Sequence, residues 1–367
     1  MFWGDQVFLP SAEFQYTPTH HADIMCTLLG STAPTAEEWK EKGLEKYGVI
    51  AVSKAEGKNA AQVEKVDHAT AVKMLQVLGD IGSVGPSLGS FSVTADFLHA
   101  LCHEYDAELQ EKKGKFDTDP HFWMPLTLPT DDYVLLMSQK GVSEAVSKRH
   151  HQRMSKFKQS FPLGDMGLFG AVDVGVDACW WDYGLLKLYM SNNKKLLTKE
   201  DDESKLLRRF YQVSENQMNS TLSDKVFVDE SSCIFSSSIR NGSITNSIVA
   251  AVDSLDVQIV DAIVVNCTAK KIVAGKNSIL YNLVSDSEEG IYAAEGEIIV
   301  SVTDESGSMM NIKSHHEICG GKNWKNQVSG NSMSFEQVYE RNLDANVSLI
   351  EEKRRQLYHT VSSSLSD

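Results

Sequence analysis

The sequence predicts an α/β protein whose later part winds into a β-helix and ends in an amphipathic helix. Three observations carry that reading. Strand-like and helix-like segments alternate from Met1 to about Asn193. From about Lys225 the chain turns rich in Ser, Val, Ile and Asn and repeats a small polar pair before an aliphatic pair. Beyond the repeats, apolar residues recur at helical spacing. At roughly 150 residues per domain, 367 residues make two or three domains, and the composition shifts divide them at 1–224, 225–325 and 326–367. An apolar content of 42% against 23% charged residues supplies a globular core and argues against disorder.

Val49-Ile50-Ala51-Val52 reads as a strand behind Gly48, and Thr94 as the cap of a helix whose Phe97, Leu98, Leu101 and Tyr105 share a face. His20-His21-Ala22-Asp23 reads as a turn, since adjacent side chains seldom converge on one metal ion. Between Asp131 and Phe161, the residues Tyr133, Leu136, Val142, Val146 and Met154 predict one or two surface helices, with Lys148-Arg149-His150-His151 as a solvated face. A charged stretch from Lys194 to Arg209 leads into the repeats. These are Ser232-Cys233-Ile234-Phe235, Asn246-Ser247-Ile248-Val249, Asp261-Ala262-Ile263-Val264 and Asn277-Ser278-Ile279-Leu280, offset by 14, 15 and 16 residues. Stacked coils that bury alternate side chains give that pattern, and an antiparallel meander is the alternative. Ser334 and Gln337 resemble a capping box, and Phe335, Val338, Tyr339, Leu343, Val347, Ile350 and Leu357 then make one face of a terminal helix apolar. That face needs a partner, either the solenoid end or the preceding domain, with a subunit interface as the alternative.

The 35 basic and 50 acidic residues leave a net charge of −15, which repels nucleic acid and anionic membranes, so neither is an expected partner. No apolar run reaches the roughly 20 residues of a bilayer span, and Met1-Phe2-Trp3-Gly4-Asp5 lacks the basic and apolar regions of a secretory signal. Six scattered cysteines without a C-x-x-C pair suit a reducing, cytoplasmic compartment. A plastid is the other expected location, should a transit peptide precede Met1.

Asp5 follows Gly4 and precedes Gln6-Val7-Phe8, so it is expected at the carboxyl end of a strand or the turn after it, where ligands of open α/β sheets bind. Asp182, in Cys179-Trp180-Trp181-Asp182-Tyr183-Gly184, is framed by two indoles and a glycine. Two such carboxylates are enough for Mg2+, which leaves its other positions to water and phosphate. Between them stand Tyr47-Gly48-Val49, Val63-Glu64-Lys65 and Ser87-Leu88-Gly89. A carboxylate such as that of Glu64 accepts hydrogen bonds from sugar hydroxyls, and a lysine such as Lys65 holds a phosphate as a point charge.

In that order, Gly-Asp, Tyr-Gly-Val, Val-Glu-Lys, Ser-Leu-Gly and Trp-Asp-x-Gly resemble the sugar-1-phosphate nucleotidyltransferases, the pyrophosphorylases that make UDP-glucose, ADP-glucose and their relatives. The likeness covers Met1 to Asn193, and a β-helix after such a domain in several of these enzymes extends it to about Ser285. The resemblance implies a partial nucleotide-diphospho-sugar transferase (Rossmann-like) domain, then a left-handed β-helix and a C-terminal helix. It implies Asp5 and Asp182 as the ligands of Mg2+ and Lys65 as the grip on the phosphate of the sugar phosphate. Glu64 would bind the hexose hydroxyls, Gly48 would offer a backbone N–H to the sugar, and Ser87 would contact it. Asp5, Lys65 and Asp182 then form the catalytic set. The implied reaction is in-line attack by glucose 1-phosphate, or a related hexose 1-phosphate, on the α-phosphorus of UTP with release of pyrophosphate, as in UTP-glucose-1-phosphate uridylyltransferases.

The family's G-x-G-T-R-like nucleotide loop, expected before the Gly-Asp, does not occur, and Pro86-Ser87-Leu88-Gly89 stands where many relatives have Asn-x-Gly. The chain therefore reads as amino-terminally truncated and inactive by itself, with its full-length parent the enzyme. Two readings compete with this one: a non-catalytic sugar-binding or regulatory pseudoenzyme, and a hexapeptide-repeat acyltransferase. The second lacks a histidine in a coil loop, since His315 and His316 lie beyond the repeats and read as a solvated pair. A homo-oligomer is left open.

Overall fold

The computed structural model describes residues 4–10, 16–30, 32–55, 59–111, 119–304, 306–343 and 345–364. The chain is α/β and divides into two compact units, Met1–Trp180 and Trp181–Asp367. A β-solenoid of about 5 turns, compatible with a β-helix, forms much of the second.

The first unit contains strands β1 (Gln6–Leu9), β2 (His20–Cys26), β3 (Gly48–Ser53), β4 (Ala60–Glu64), β5 (Ile81–Val93) and β6 (Gly167–Asp173), and the division between units falls within β7 (Cys179–Asp182). Its helices are α1 (Ala36–Glu41), α2 (His68–Leu75), α3 (Ala95–Glu104), α4 (Asp106–Glu111), α5 (Met124–Thr127), α6 (Thr130–Gln139) and α7 (Glu144–Ser160). β1 pairs with β7 in a ribbon of its own, and a five-stranded sheet runs in the order β4-β3-β5-β2-β6. That sheet is mixed. β2 and β6 are parallel, whereas β2–β5, β5–β3 and β3–β4 are antiparallel. The apolar run of β3 is buried on both faces: Ile50 joins Phe91, Phe97 and Met154 on one side, and Val49 and Ala51 join Met74 and Tyr133 on the other.

Several local expectations change here. His20 and His21 open β2 instead of making a turn, and both are buried. His21 Nδ1 lies 2.8 Å from Thr94 Oγ1, so that hydroxyl bonds the imidazole and gives α3 no side-chain cap. His20 Nδ1 lies 3.2 Å from Asp23 Oδ1, and Tyr16 Oη donates to Asp23 Oδ2 at 2.7 Å. Glycines make room for this pair, since a Cβ at Gly167 or Gly170 would fall 2.1 Å from the His20 ring. The two helices expected between Asp131 and Phe161 form as α6 and α7, but Tyr133, Leu136 and Met154 belong to the core. Lys148 and Arg149 are exposed, as a solvated face requires, while His151 is buried with Nε2 2.8 Å from the Leu128 carbonyl.

In the second unit, α8 (Leu186–Lys194) and α9 (Asp202–Phe210) precede the coils. The first coil holds β8 (Gln217–Met218), β9 (Thr221–Leu222) and β10 (Val226–Val228), and the second holds β11 (Cys233–Phe235), β12 (Ser238–Ile239) and β13 (Gly242–Thr245). β14 (Ile248–Val260) and β15 (Ile263–Ala274) each run through a whole coil, followed by β16 (Ile279–Tyr281), β17 (Val284–Ser285), β18 (Ile291–Ala293) and then β19 (Glu297–Thr303). Parallel registers join each coil to the next, which sets the meander aside. Cys233 lies opposite Ile248 and Ile248 opposite Ile263, so the first offset is 15 residues, not 14. Cys233 thus stands in the aliphatic column as a small hydrophobe.

Ile234, Val249, Val264, Leu280 and Ile299 point into the solenoid core. At one corner Ser236, Ala251, Asn266 and Asn282 all take left-handed backbone, with φ of 48°, 53°, 53° and 62°. At another, Asp261 accepts from Asn246 Nδ2 at 2.9 Å and from Lys194 Nζ at 2.6 Å. β20 (Met309–His315) pairs antiparallel with β19 and ends the parallel stacking. The capping box forms, with Ser334 N donating to Gln337 Oε1 at 2.9 Å and Gln337 N to Ser334 Oγ at 3.3 Å. The terminal helix is nevertheless two helices, α10 (Phe335–Leu343) and α11 (Val347–Ser364), because Asn346 Oδ1 accepts from Leu349 N at 3.1 Å and starts the second afresh. α10 packs on β19 and α11 on β15 and β17, and the Leu357 side chain lies outside the described residues. Among the described residues no helix is long and apolar enough to cross a membrane.

Candidate functional site

Three strands of the first unit bring Gly48, Glu64 and Ser87 together. The β3–β4 register sets Gly48 opposite Glu64 and Ile50 opposite Gln62, while β3–β5 sets Val49 opposite Pro86, which puts Ser87 beside Gly48. A Cβ on Gly48 would lie 2.6 Å from Glu64 Oε2, 3.1 Å from Gln62 Nε2 and 3.5 Å from Ser87 Cβ. Glycine at 48 therefore leaves the space into which the polar ends of Glu64 and Gln62 reach. Ser87 is buried, and its Oγ accepts from Gly89 N at 3.1 Å.

Lys65 follows directly in left-handed backbone at φ 54°, its N–H donating to the Tyr47 carbonyl at 3.1 Å. Its Nζ lies 3.2 Å from Glu64 Oε1. The Lys65 side chain is 67% exposed and that of Glu64 only 11%, so the carboxylate forms the floor and the ammonium the rim. An ion pair this exposed holds weakly, which leaves the ammonium free to turn to a ligand.

Gln62 is a further polar residue beside this cluster that the sequence reading does not single out. Two-residue periodicity along β4 puts it on the face of Glu64, and it is buried, with Oε1 lacking a hydrogen-bond partner among the described residues. The available signal is a lone amide inside Ala60-Ala61-Gln62-Val63, an otherwise apolar strand.

Asp5 is exposed in the turn before β1. Asp182 ends β7; its Oδ1 accepts from Gly184 N at 2.7 Å and its carbonyl from Asn192 Nδ2 at 2.8 Å. The flanking indoles are anchored as well, Trp180 Nε1 donating to Gln6 Oε1 and Trp181 Nε1 to Glu203 Oε2, each at 3.2 Å. Asp5 and Asp182 belong to different units. Their carboxylate oxygens are donors of the kind Mg2+ takes, and among the described residues no three His, Cys, Asp or Glu side chains gather as a metal site. His315 and His316 are not a solvated pair: their rings lie 4.5 Å apart, against Gly296, and His316 Nδ1 is buried.

No protein-family model matches the chain, and no curated protein matches it in sequence.

Proposed function

We propose that the cluster of Gly48, Glu64, Lys65 and Ser87 binds the sugar phosphate of a nucleotidyltransferase that joins a hexose 1-phosphate, glucose 1-phosphate or a relative, to a nucleotide from UTP. The observation that carries this reading is a largely buried Glu64 carboxylate over Gly48 with an exposed Lys65 ammonium 3.2 Å from it. A ligand that fits has hydroxyl donors at one end and an anion at the other. Glu64 accepts from the hexose hydroxyls, Gly48 offers the sugar a backbone N–H, Ser87 contacts it, and Lys65 holds the phosphate and orients its attacking oxygen. On the resemblance, the fold is a nucleotide-diphospho-sugar transferase domain followed by a left-handed β-helix. On the same resemblance Asp5 and Asp182 would each offer magnesium a carboxylate, and the ion would neutralise phosphate charge.

Binding is the readout to use, since no G-x-G-T-R-like loop occurs in this sequence. Lys65→Ala is expected to weaken glucose 1-phosphate binding about tenfold or more, the worth of one charge-assisted contact, in a saturation-transfer NMR titration. Unchanged affinity would reduce Lys65 to an exposed partner of Glu64 and remove the phosphate from the pocket.

A further inference from the structure

We infer that a cavity between α4, α6 and α7 of the first unit binds a neutral, ring-sized molecule with one hydroxyl group, a phenol in class, and that His150 accepts its O–H. The inference uses no residue of the sugar-phosphate reading above. The cavity measures about 130 Å³. A void of roughly 150 Å³ holds benzene, so one six-membered ring with a small substituent fits. The rings of Tyr105, His121, Tyr133 and His150 make much of the wall, together with Met137 and Val142. His150, in the stretch expected to be solvated, is half-buried, its ring centroid 5.5 Å from that of His121 and 6.2 Å from those of Tyr105 and Tyr133. Such rings receive an aromatic guest edge-on or offset. Val146 also lines the cavity and is exposed, which marks the mouth.

Most polar groups of the wall are already engaged. Tyr105 Oη donates to the His121 carbonyl at 2.5 Å, Ser147 Oγ donates to the Ser143 carbonyl at 3.0 Å, and Arg153 holds the Glu108 carboxylate. His150 Nε2 lies 2.8 Å from the same His121 carbonyl, which can only accept, so Nε2 carries the proton. Burial holds this imidazole below its ordinary pKa against the opposing effect of that hydrogen bond, so the ring is neutral at pH 7 and Nδ1 keeps its lone pair. Nδ1 has no hydrogen-bond partner among the described residues. A cluster of waters would need about two to four partners for each molecule, whereas a single hydroxyl donor needs one. A cationic guest fits less well, because the Arg153 guanidinium already lies 5.0 Å from the Tyr105 ring centroid and takes the carboxylate that a ligand ammonium would need.

The test titrates the full 367-residue chain with phenol and with toluene, which match in size and differ in the hydroxyl, by ligand-observed NMR. Phenol should bind the wild type saturably. In His150→Phe, which keeps a ring in the wall and leaves Tyr105 to serve the His121 carbonyl, phenol affinity relative to toluene should fall about tenfold, because the hydroxyl is then buried without an acceptor. Val146→Trp, at an exposed position, should obstruct the mouth and weaken both ligands while melting like the wild type, and it serves as the test if His150→Phe folds poorly. An unchanged ratio of phenol to toluene affinity in His150→Phe would overturn the role of His150, and wild-type binding by Val146→Trp would place phenol outside this cavity. Absence of saturable phenol binding at millimolar concentration, or displacement of phenol by tetramethylammonium, would overturn the inference as a whole.

Discussion

A methyl group at position 48 would meet the Glu64 carboxylate at 2.6 Å, well inside the roughly 3.5 Å at which heavy atoms pack comfortably. The atom it meets is the end of a flexible side chain, so the carboxylate moves aside and the strand does not. Gly48→Ala should therefore melt near the wild type while binding glucose 1-phosphate about tenfold more weakly; a large drop in melting temperature would mean that Gly48 serves the fold alone. The order of motifs names Gly48, Glu64 and Ser87 as one candidate cluster, and the strand registers bring them together. Gln62, an amide between Ala61 and Val63, belongs to no motif, and its place beside them shows only in the register and its burial. Asp23 gives a residue-level pH dependence. Burial alone would raise its carboxyl, but the hydrogen bonds from His20 and Tyr16 outweigh it and hold the group below its ordinary value. A depressed folded-state pKa contributes stability above the unfolded value of about 3.9, and that contribution is lost as pH falls through the folded value. Asp23→Asn should flatten this acid limb in urea melts taken from neutral pH downward; an unchanged limb would assign the acid sensitivity to other carboxylates.

At the scale of elements, one column of the solenoid carries two serines whose removal should act in opposite directions. Ser232, Ser247, Ala262 and Ser278 lie one coil apart and are buried. Ser247 Oγ accepts from Ala262 N at 3.0 Å and donates to the Thr245 carbonyl at 2.6 Å, so Ser247→Ala strands a buried N–H and should cost about 1–3 kcal/mol. Ser278 Oγ has no partner among the described residues. The next coil is longer, Ile279 facing Ile298, and Glu297 N is already bonded to the Ala294 carbonyl at 3.1 Å. Ser278→Ala should accordingly leave denaturant stability level or raise it, and a loss equal to that of Ser247→Ala would refute the ladder. The coils were legible from their repeated aliphatic pairs. Their first register was not, because Cys233 resembles a small polar residue in sequence and occupies an aliphatic position in the stack. The start of β2 was hidden for a related reason: His20 and His21 look like turn residues until Gly167, Gly170 and Thr94 supply their packing and hydrogen bonds. The break between α10 and α11 needs only Asn346, a cap that helical periodicity overlooks.

At the scale of the molecule, the apolar clusters are local to the units. Ile234, Val249, Val264 and Leu280 form the interior of the solenoid, whereas Ile50, Phe91 and Phe97, and separately Val49, Met74 and Tyr133, flank the sheet of the first unit. A unit with its own core can unfold as its own cooperative block. Within the solenoid each coil is bonded to its neighbours, so its stability is close to a sum of coil and interface contributions and its transition should be the broader one. Scanning calorimetry of the full chain should then show more than one heat-absorption peak. The two core variants assign them: Ser247→Ala should lower the solenoid peak and leave the other in place, while Asp23→Asn at neutral pH should lower the peak of the first unit alone. The pairing of variant and peak is the discriminating result, because a destabilised but independent block moves by itself, whereas coupled blocks move together. A single peak that both variants displace would mean that the chain unfolds as one cooperative structure despite its separate cores.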